Sequence, residues 1–196
     1  MTPVRGESLL LHAVRGLLHS DCVDRVLVAG PPHNMTAYST ALERLADTRV
    51  RVVAGSADRA DSVRSALAAS SAQPSDIVLV HDATRPFTPA ATIRAVVDEI
   101  RAGAPAAVPV EPVTDTIKIV NHDDVVWGTR DRSRLRFTQS PQGFLAAVLH
   151  DADPVDPLAG LGAKVHTVTG HPHGMRLSTS FDLAVVDALL TAEKRQ

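Results

Sequence analysis

Short apolar runs alternate along this chain with segments of helical periodicity, and that alternation limits the fold more than any other feature. The runs are Val23 to Ala29, Arg49 to Val53, Asp76 to Val80 and Ala106 to Val110. Between and before them, hydrophobic residues recur every three or four positions. Leu9, Leu10, Ala13, Val14, Leu17 and Leu18 mark a helix over Glu7 to His19, and Tyr38, Leu42 and Leu45 mark one that Asn34 can cap. A third helix spans Asp58 to Ser70, and a fourth starts at Pro89 and carries Ile93, Val96, Val97 and Ile100. Strands separated by helices of this length predict right-handed crossovers, hence an α/β fold with a mostly parallel sheet and helices on both faces.

Near Pro109 the pattern changes. Thr116 to Val120 and Val125 to Trp127 alternate in polarity around Asn121-His-Asp-Asp124, a hairpin signature, and the alternation continues to about Thr138. We expect a β-arm over about 113–138 inserted in one domain that spans 1–196. Gln142 to Leu149 is expected to be helical, Lys164 to Val168 a strand, and Phe181 to Ala192 a closing helix; Asp151 to Pro157 is an acidic, proline-broken link. A chain of 196 residues with 44% hydrophobic content can bury one sizeable core.

Composition removes several classes of function. A net charge of −2 gives no global attraction for nucleic acid, and 3% aromatic residues leave few platforms for stacking bases. The single cysteine, Cys22, cannot form an internal disulfide and is expected to be a buried thiol in a reducing compartment. No apolar run is long enough to span a bilayer and no signal-peptide layout is present, so a cytoplasmic protein without membrane contact is expected. His171-Pro-His173 has no third ligand at recognisable spacing, and no metal site of the chain's own is predicted.

Ligands of open α/β sheets bind beyond the carboxyl ends of the strands. After Val53 comes the small-residue loop Ala54-Gly-Ser-Ala-Asp-Arg-Ala-Asp-Ser62, which can present backbone N–H groups to an anion or form a capped turn. After Val80 comes His81-Asp-Ala-Thr-Arg-Pro86. Its Asp82 and Arg85 can grip a hydroxyl and a phosphate, or lock the turn as a salt bridge. Arg130, Arg132, Arg134 and Arg136 can form a phosphate clamp or guard an exposed strand edge.

Taken together, Arg59-Ala-Asp-Ser-Val63 after Gly55, His81-Asp-Ala-Thr-Arg-Pro86, Pro112-Val-Thr-Asp-Thr-Ile-Lys118, Asp131-Arg-Ser133, Gln139-Ser-Pro-Gln-Gly-Phe144 and Phe181-Asp-Leu-Ala184 resemble one family in order and over nearly the whole chain. The family is the 2-C-methyl-D-erythritol 4-phosphate cytidylyltransferases of isoprenoid precursor synthesis. The resemblance implies a Rossmann-like nucleotidyltransferase fold whose β-arm embraces a second subunit, forming a homodimer. It implies that CTP, with Mg²⁺, and methylerythritol phosphate are joined with release of pyrophosphate. Substrate would be held by Asp82, Arg85, Thr116 and Ser140, with Thr116 and Arg132 coming from the partner's arm. Arg132 and Arg176 would be the catalytic cations, and Gly55, Ser56, Arg59, Ser62 and Ala83 would lie along the nucleotide.

Several departures from the family pattern accompany the resemblance, among them Ala152-Asp-Pro-Val-Asp156 in place of a threonine-aspartate-aspartate segment. Met1 to Leu10 matches the stretch immediately after the family's glycine-rich loop and lysine, so that strand, loop, arginine and lysine have no counterpart in these 196 residues. Arg176 stands where the family has a lysine, and Ser56 where it has a second loop glycine. From these departures slow catalysis is expected, the alternative being a non-catalytic dimer that binds a ligand or partner protein.

Overall fold

A computed structural model describes residues 3–56, 58–152, 156, 158 and 160–193. The chain opens with a two-residue hairpin, β1 (Pro3–Val4) against β2 (Glu7–Ser8), and α1 (Leu9–Leu18) follows with Ser8 capping its first turn. Crossovers then run through β3 (Val26–Gly30), α2 (Met35–Glu43), β4 (Val50–Ala54), α3 (Arg59–Ser70), β5 (Ile77–Val80), α4 (Ala90–Arg101) and β6 (Ala106–Pro112). The arm contains β7 (Ile117–Val120), β8 (Val126–Arg130) and β9 (Arg136–Thr138). Last come β10 (Gln142–Leu145), α5 (Ala146–Asp151), β11 (Val165–Thr169) and α6 (Ser180–Glu193). The acidic link falls largely at 153–155 and 157, outside the described residues.

Helices cover both faces, as the alternation predicts. On one side α1 and α2 pack on Val26 and Val28, while Val96 and Ile100 of α4 meet Ala107 and, from β5, Ile77 and Leu79. On the other side Val63 and Leu67 of α3 and Leu149 of α5 meet Val78, Val80 and the fully buried Phe144. Successive residues of β5 thus point to opposite apolar layers, which is why this strand is apolar throughout instead of alternating.

Two features depart from the expectation. The sheet is mixed, because Gln142 to Leu145 forms a strand instead of the first turn of a helix. This strand, β10, lies antiparallel between β5 and β6, while β6 and β11 pair in parallel. Burying Phe144 under α3 and α5 and satisfying its backbone in two ladders outweighs a weak helical period. The sheet is also parted. Parallel β3 and β4 form one ladder pair, β11-β6-β10-β5 with β9 form another sheet, and no ladder joins β3 to β5. Between these two strands runs a cavity of about 790 Å³, walled by apolar residues of α1 and α3. Among the described residues no helix is long and apolar enough to cross a membrane. Cys22 is partly buried, its sulfur 3.3 Å from the Ser20 hydroxyl.

Candidate functional site

The turn after β5 is built around Asp82. One carboxylate oxygen, Oδ1, accepts from the backbone N–H of Thr84 at 2.9 Å and from its hydroxyl at 2.7 Å, a local Asx turn that fixes the side chain. The other, Oδ2, accepts from Arg176 Nη2 at 2.9 Å and Nε at 3.2 Å. Arg85 donates from its backbone N–H to the Asp82 carbonyl at 2.9 Å, but its side chain turns elsewhere. Its guanidinium donates to the carbonyls of Gly174 at 2.7 Å and Thr138 at 3.2 Å. The salt bridge within the turn, the alternative to a ligand grip, does not form; Asp82 pairs over a longer range with Arg176, because its second oxygen faces the 170–177 segment and Arg85 reaches past it.

Behind this cluster lies a buried support. Ser140, which is 6% exposed, accepts from the Asp82 N–H at 3.2 Å, and its hydroxyl lies 3.1 Å from His81 Nδ1. The serine hydroxyl and Nδ1 share one hydrogen bond, and the imidazole is neutral at ordinary pH. Burial pushes His81 down to about 4, the nearby Asp82 charge and a hydrogen bond at the Arg85 backbone opposing this only in part. For Asp82, burial works against ionisation. The Thr84 hydrogen bonds and the Arg176 guanidinium overcome it and hold the carboxyl below its ordinary value. Ser140 thus sits beneath Asp82, its hydroxyl engaged with the turn after β5.

The loop after β4 is bonded to itself. Gly55 N–H donates to the Gly30 carbonyl at 2.8 Å, and Ser62 Oγ accepts from Ser56 N–H at 2.9 Å while lying 2.9 Å from the Asp58 carbonyl. Asp58 caps α3 by accepting from the N–H groups of Ala60 and Asp61. The capped-turn alternative therefore describes this loop; Ala57 lies outside the described residues. Arg59 is exposed at the first turn of α3, and it lines the cavity between β3 and β5 together with Ser62 and Ala83.

The arm meets the Asp82 cluster at Thr138, whose carbonyl takes Arg85. Thr116 and Arg132 are exposed, Arg132 donates to the Thr114 carbonyl of its own arm, and Arg130, Arg134 and Arg136 are exposed as well. Within one chain the structure therefore gathers Asp82, Arg85, Arg176 and Ser140 but does not bring Thr116 or Arg132 to them. Apolar residues of the hairpin face outward, Trp127 being 82% and Val125 59% exposed. His171 and His173 stack edge to face at 4.7 Å, and no group of three or more His, Cys, Asp or Glu able to hold a metal occurs among the described residues. Reading the sequence missed the roles of Thr84, His81 and Gln139. Thr84 alone had a local signal, its spacing two residues after an aspartate.

Comparison with known proteins agrees with this geometry. The family model described as 2-C-methyl-D-erythritol 4-phosphate cytidylyltransferase matches residues 1–192. A curated protein of that name from Saccharopolyspora erythraea is 47% identical over 97% of this chain and 89% of its own length. One from Rhodococcus jostii is 42% identical over 94% and 83%. Among solved structures, a 4-diphosphocytidyl-2C-methyl-D-erythritol synthase superposes with a TM-score of 0.84 at 27% identity, over 96% of this chain and 93% of that one. The Thermus thermophilus cytidylyltransferase gives 0.75 at 29% identity over 96% and 91%. A fold with helices on both faces of a parted sheet, an acid and two arginines beyond β5, and sequence relatives over almost the entire length lead to one conclusion: the chain belongs to the 2-C-methyl-D-erythritol 4-phosphate cytidylyltransferase family.

Proposed function

We propose that this protein transfers a cytidylyl group from CTP to 2-C-methyl-D-erythritol 4-phosphate and releases pyrophosphate. The observation that supports this most is the cluster beyond β5, where two guanidinium groups and one carboxylate converge. Its net charge is positive, and it carries a carboxylate suited to a hydroxyl beside cations suited to a phosphate. Arg85 uses two of its N–H groups on carbonyls and Arg176 uses two on Asp82 and Thr84, so each guanidinium retains donors for a ligand.

The reaction asks little acid–base chemistry of the protein. A phosphate monoester is largely dianionic at neutral pH, so the acceptor oxygen attacks the α-phosphorus without a strong base, and the bond to the pyrophosphate oxygen breaks. What the site must supply is alignment and positive charge. In this reading Asp82 takes an acceptor hydroxyl and Arg85 its phosphate. Arg176, 61% exposed on its side chain, moves its charge from Asp82 towards the transferring group. Gly55, Ser56, Arg59, Ser62 and Ala83 flank the nucleotide. Mg²⁺ enters with the triphosphate: the chain offers it no carboxylate cage among the described residues, and Mg²⁺ is commonly held by phosphate oxygens and water.

The outward-facing apolar hairpin supports a homodimer in which Thr116 and Arg132 complete the partner's site. The relatives compared are described by the transferase activity, which favours catalysis over a purely binding role. The test is pyrophosphate release with CTP, Mg²⁺ and methylerythritol phosphate. Release that requires all three is expected, and none above background at saturating substrates would overturn the proposal.

A further inference from the structure

Arg176 is exposed, yet the segment that carries it is tied to the protein interior, and one buried side chain, Gln139, holds its start. Gln139 follows β9, is only 5% exposed and has its amide fully engaged. Nε2 donates to the His171 carbonyl at 2.8 Å and to Glu111 Oε2 at 3.1 Å, while Oε1 accepts from the His171 N–H at 3.0 Å. The chemistry of His171 sets the orientation of this amide, since an N–H needs an oxygen opposite it and a carbonyl needs a donor. Gln139 thus pairs with His171 as a neighbouring strand would, with its side-chain amide in place of a peptide unit.

The segment is shaped to that amide on both sides of His171. A Cβ on Gly170 would lie 2.6 Å from Gln139 Oε1 and 2.9 Å from the Val110 carbonyl, and one on Gly174 would lie 2.7 Å from the same Oε1. Two glycines four residues apart therefore close around one side-chain oxygen. Downstream, the Gly174 carbonyl takes Arg85, Leu177 N–H donates to the Thr84 carbonyl at 2.8 Å, and Arg176 between them reaches Asp82.

We propose that Gln139 is a positioning residue: by clasping His171 between Gly170 and Gly174 it sets the register of the 170–177 segment and so places Arg176 over Asp82. Leucine at 139 would keep the approximate size and lose every hydrogen bond. Glutamate would keep length and acceptors but lose the donors, and its carboxylate would face both the His171 carbonyl and Glu111. The role as a donor rests on the structure alone, whereas its consequence for substrate rests on the acceptor reading proposed above.

The experiment compares the full chain with Gln139→Leu and Gln139→Glu. Amide hydrogen exchange in the absence of ligand is followed at His171, which touches Gln139, and at Leu177, which does not; amides of α4 serve as the internal reference. Both variants are expected to exchange about tenfold faster or more at both positions with α4 unchanged, and Gln139→Glu to be the looser of the two. Protection of Leu177 kept at the parent level in both variants would overturn the proposal, as would a harmless Gln139→Glu, which is what mere space-filling requires. Calorimetry with methylerythritol phosphate then separates the two readings. Weaker binding by about tenfold in the variants supports the link to Arg176. Parent-level affinity in a loosened variant overturns it. A parent protein that does not bind the acceptor at all, while its variants still loosen at Leu177, removes the acceptor reading and leaves the clasp.

Discussion

The turn after β5 and the loop after β4 occupy equivalent places, each beyond the carboxyl end of a strand, yet they are held in opposite ways. Asp82 and Arg85 are tied to residues more than 50 positions away, Arg176 and Gly174 on one side and Thr138 and Ser140 on the other. Ser56, Asp58 and Ser62 are tied almost entirely to each other. A site wired across the chain is stiff only when the whole domain is folded, and a change in one member reaches all of them. A loop bonded to itself keeps its shape alone and isolates damage.

That contrast can be broken most forcefully at Asp82. Asp82→Asn removes the charge that Arg176 and Thr84 share, and kcat/KM is expected to fall on the order of 100-fold or more in the pyrophosphate assay. A loss no greater than that of Ser62→Ala would erase the distinction.

The next largest effect is on stability. The unfolded His81 imidazole protonates near 6.5 and the folded one resists until about 4, so the unfolded chain binds more protons across that window. Stability therefore decreases as pH falls from 6.5 to 4, by about 3 kcal/mol in all. Denaturant midpoints measured against pH should show the slope, and His81→Gln should flatten it. Asp82 acts in a lower window, because its depressed folded value preserves its contribution above the ordinary carboxyl range and loses it on further acidification.

Arg176→Gln removes the charge paired with Asp82, and about a tenfold loss in kcat/KM is expected. Ser62→Ala is the smallest. It should cost about 1 kcal/mol in folding stability and leave the affinity for methylerythritol phosphate as it was; calorimetry and denaturation together check both.

The crossover architecture was legible because each strand from β3 to β6 is a short apolar run between helical periods, a signal that needs no partner to interpret. β10 was not, since Gln142 to Leu145 becomes a strand only when β5 and β6 stand on either side of it. The site divides along the same line. Asp82 and Arg85 stood out by position, and Arg176 by its place in a motif. The pairing of Asp82 with Arg176 spans 94 residues, and Arg85 ends on backbone carbonyls, which leave no trace in side-chain identity. The embrace of His171 by Gln139 was invisible for the same reason.

The place of β10 has a consequence for the order of assembly. It ladders to both β5 and β6 although it follows them in the chain, so the central sheet cannot close until the whole arm has been made. Protection of β5 amides in hydrogen exchange during refolding should therefore appear together with that of β10 and not before it.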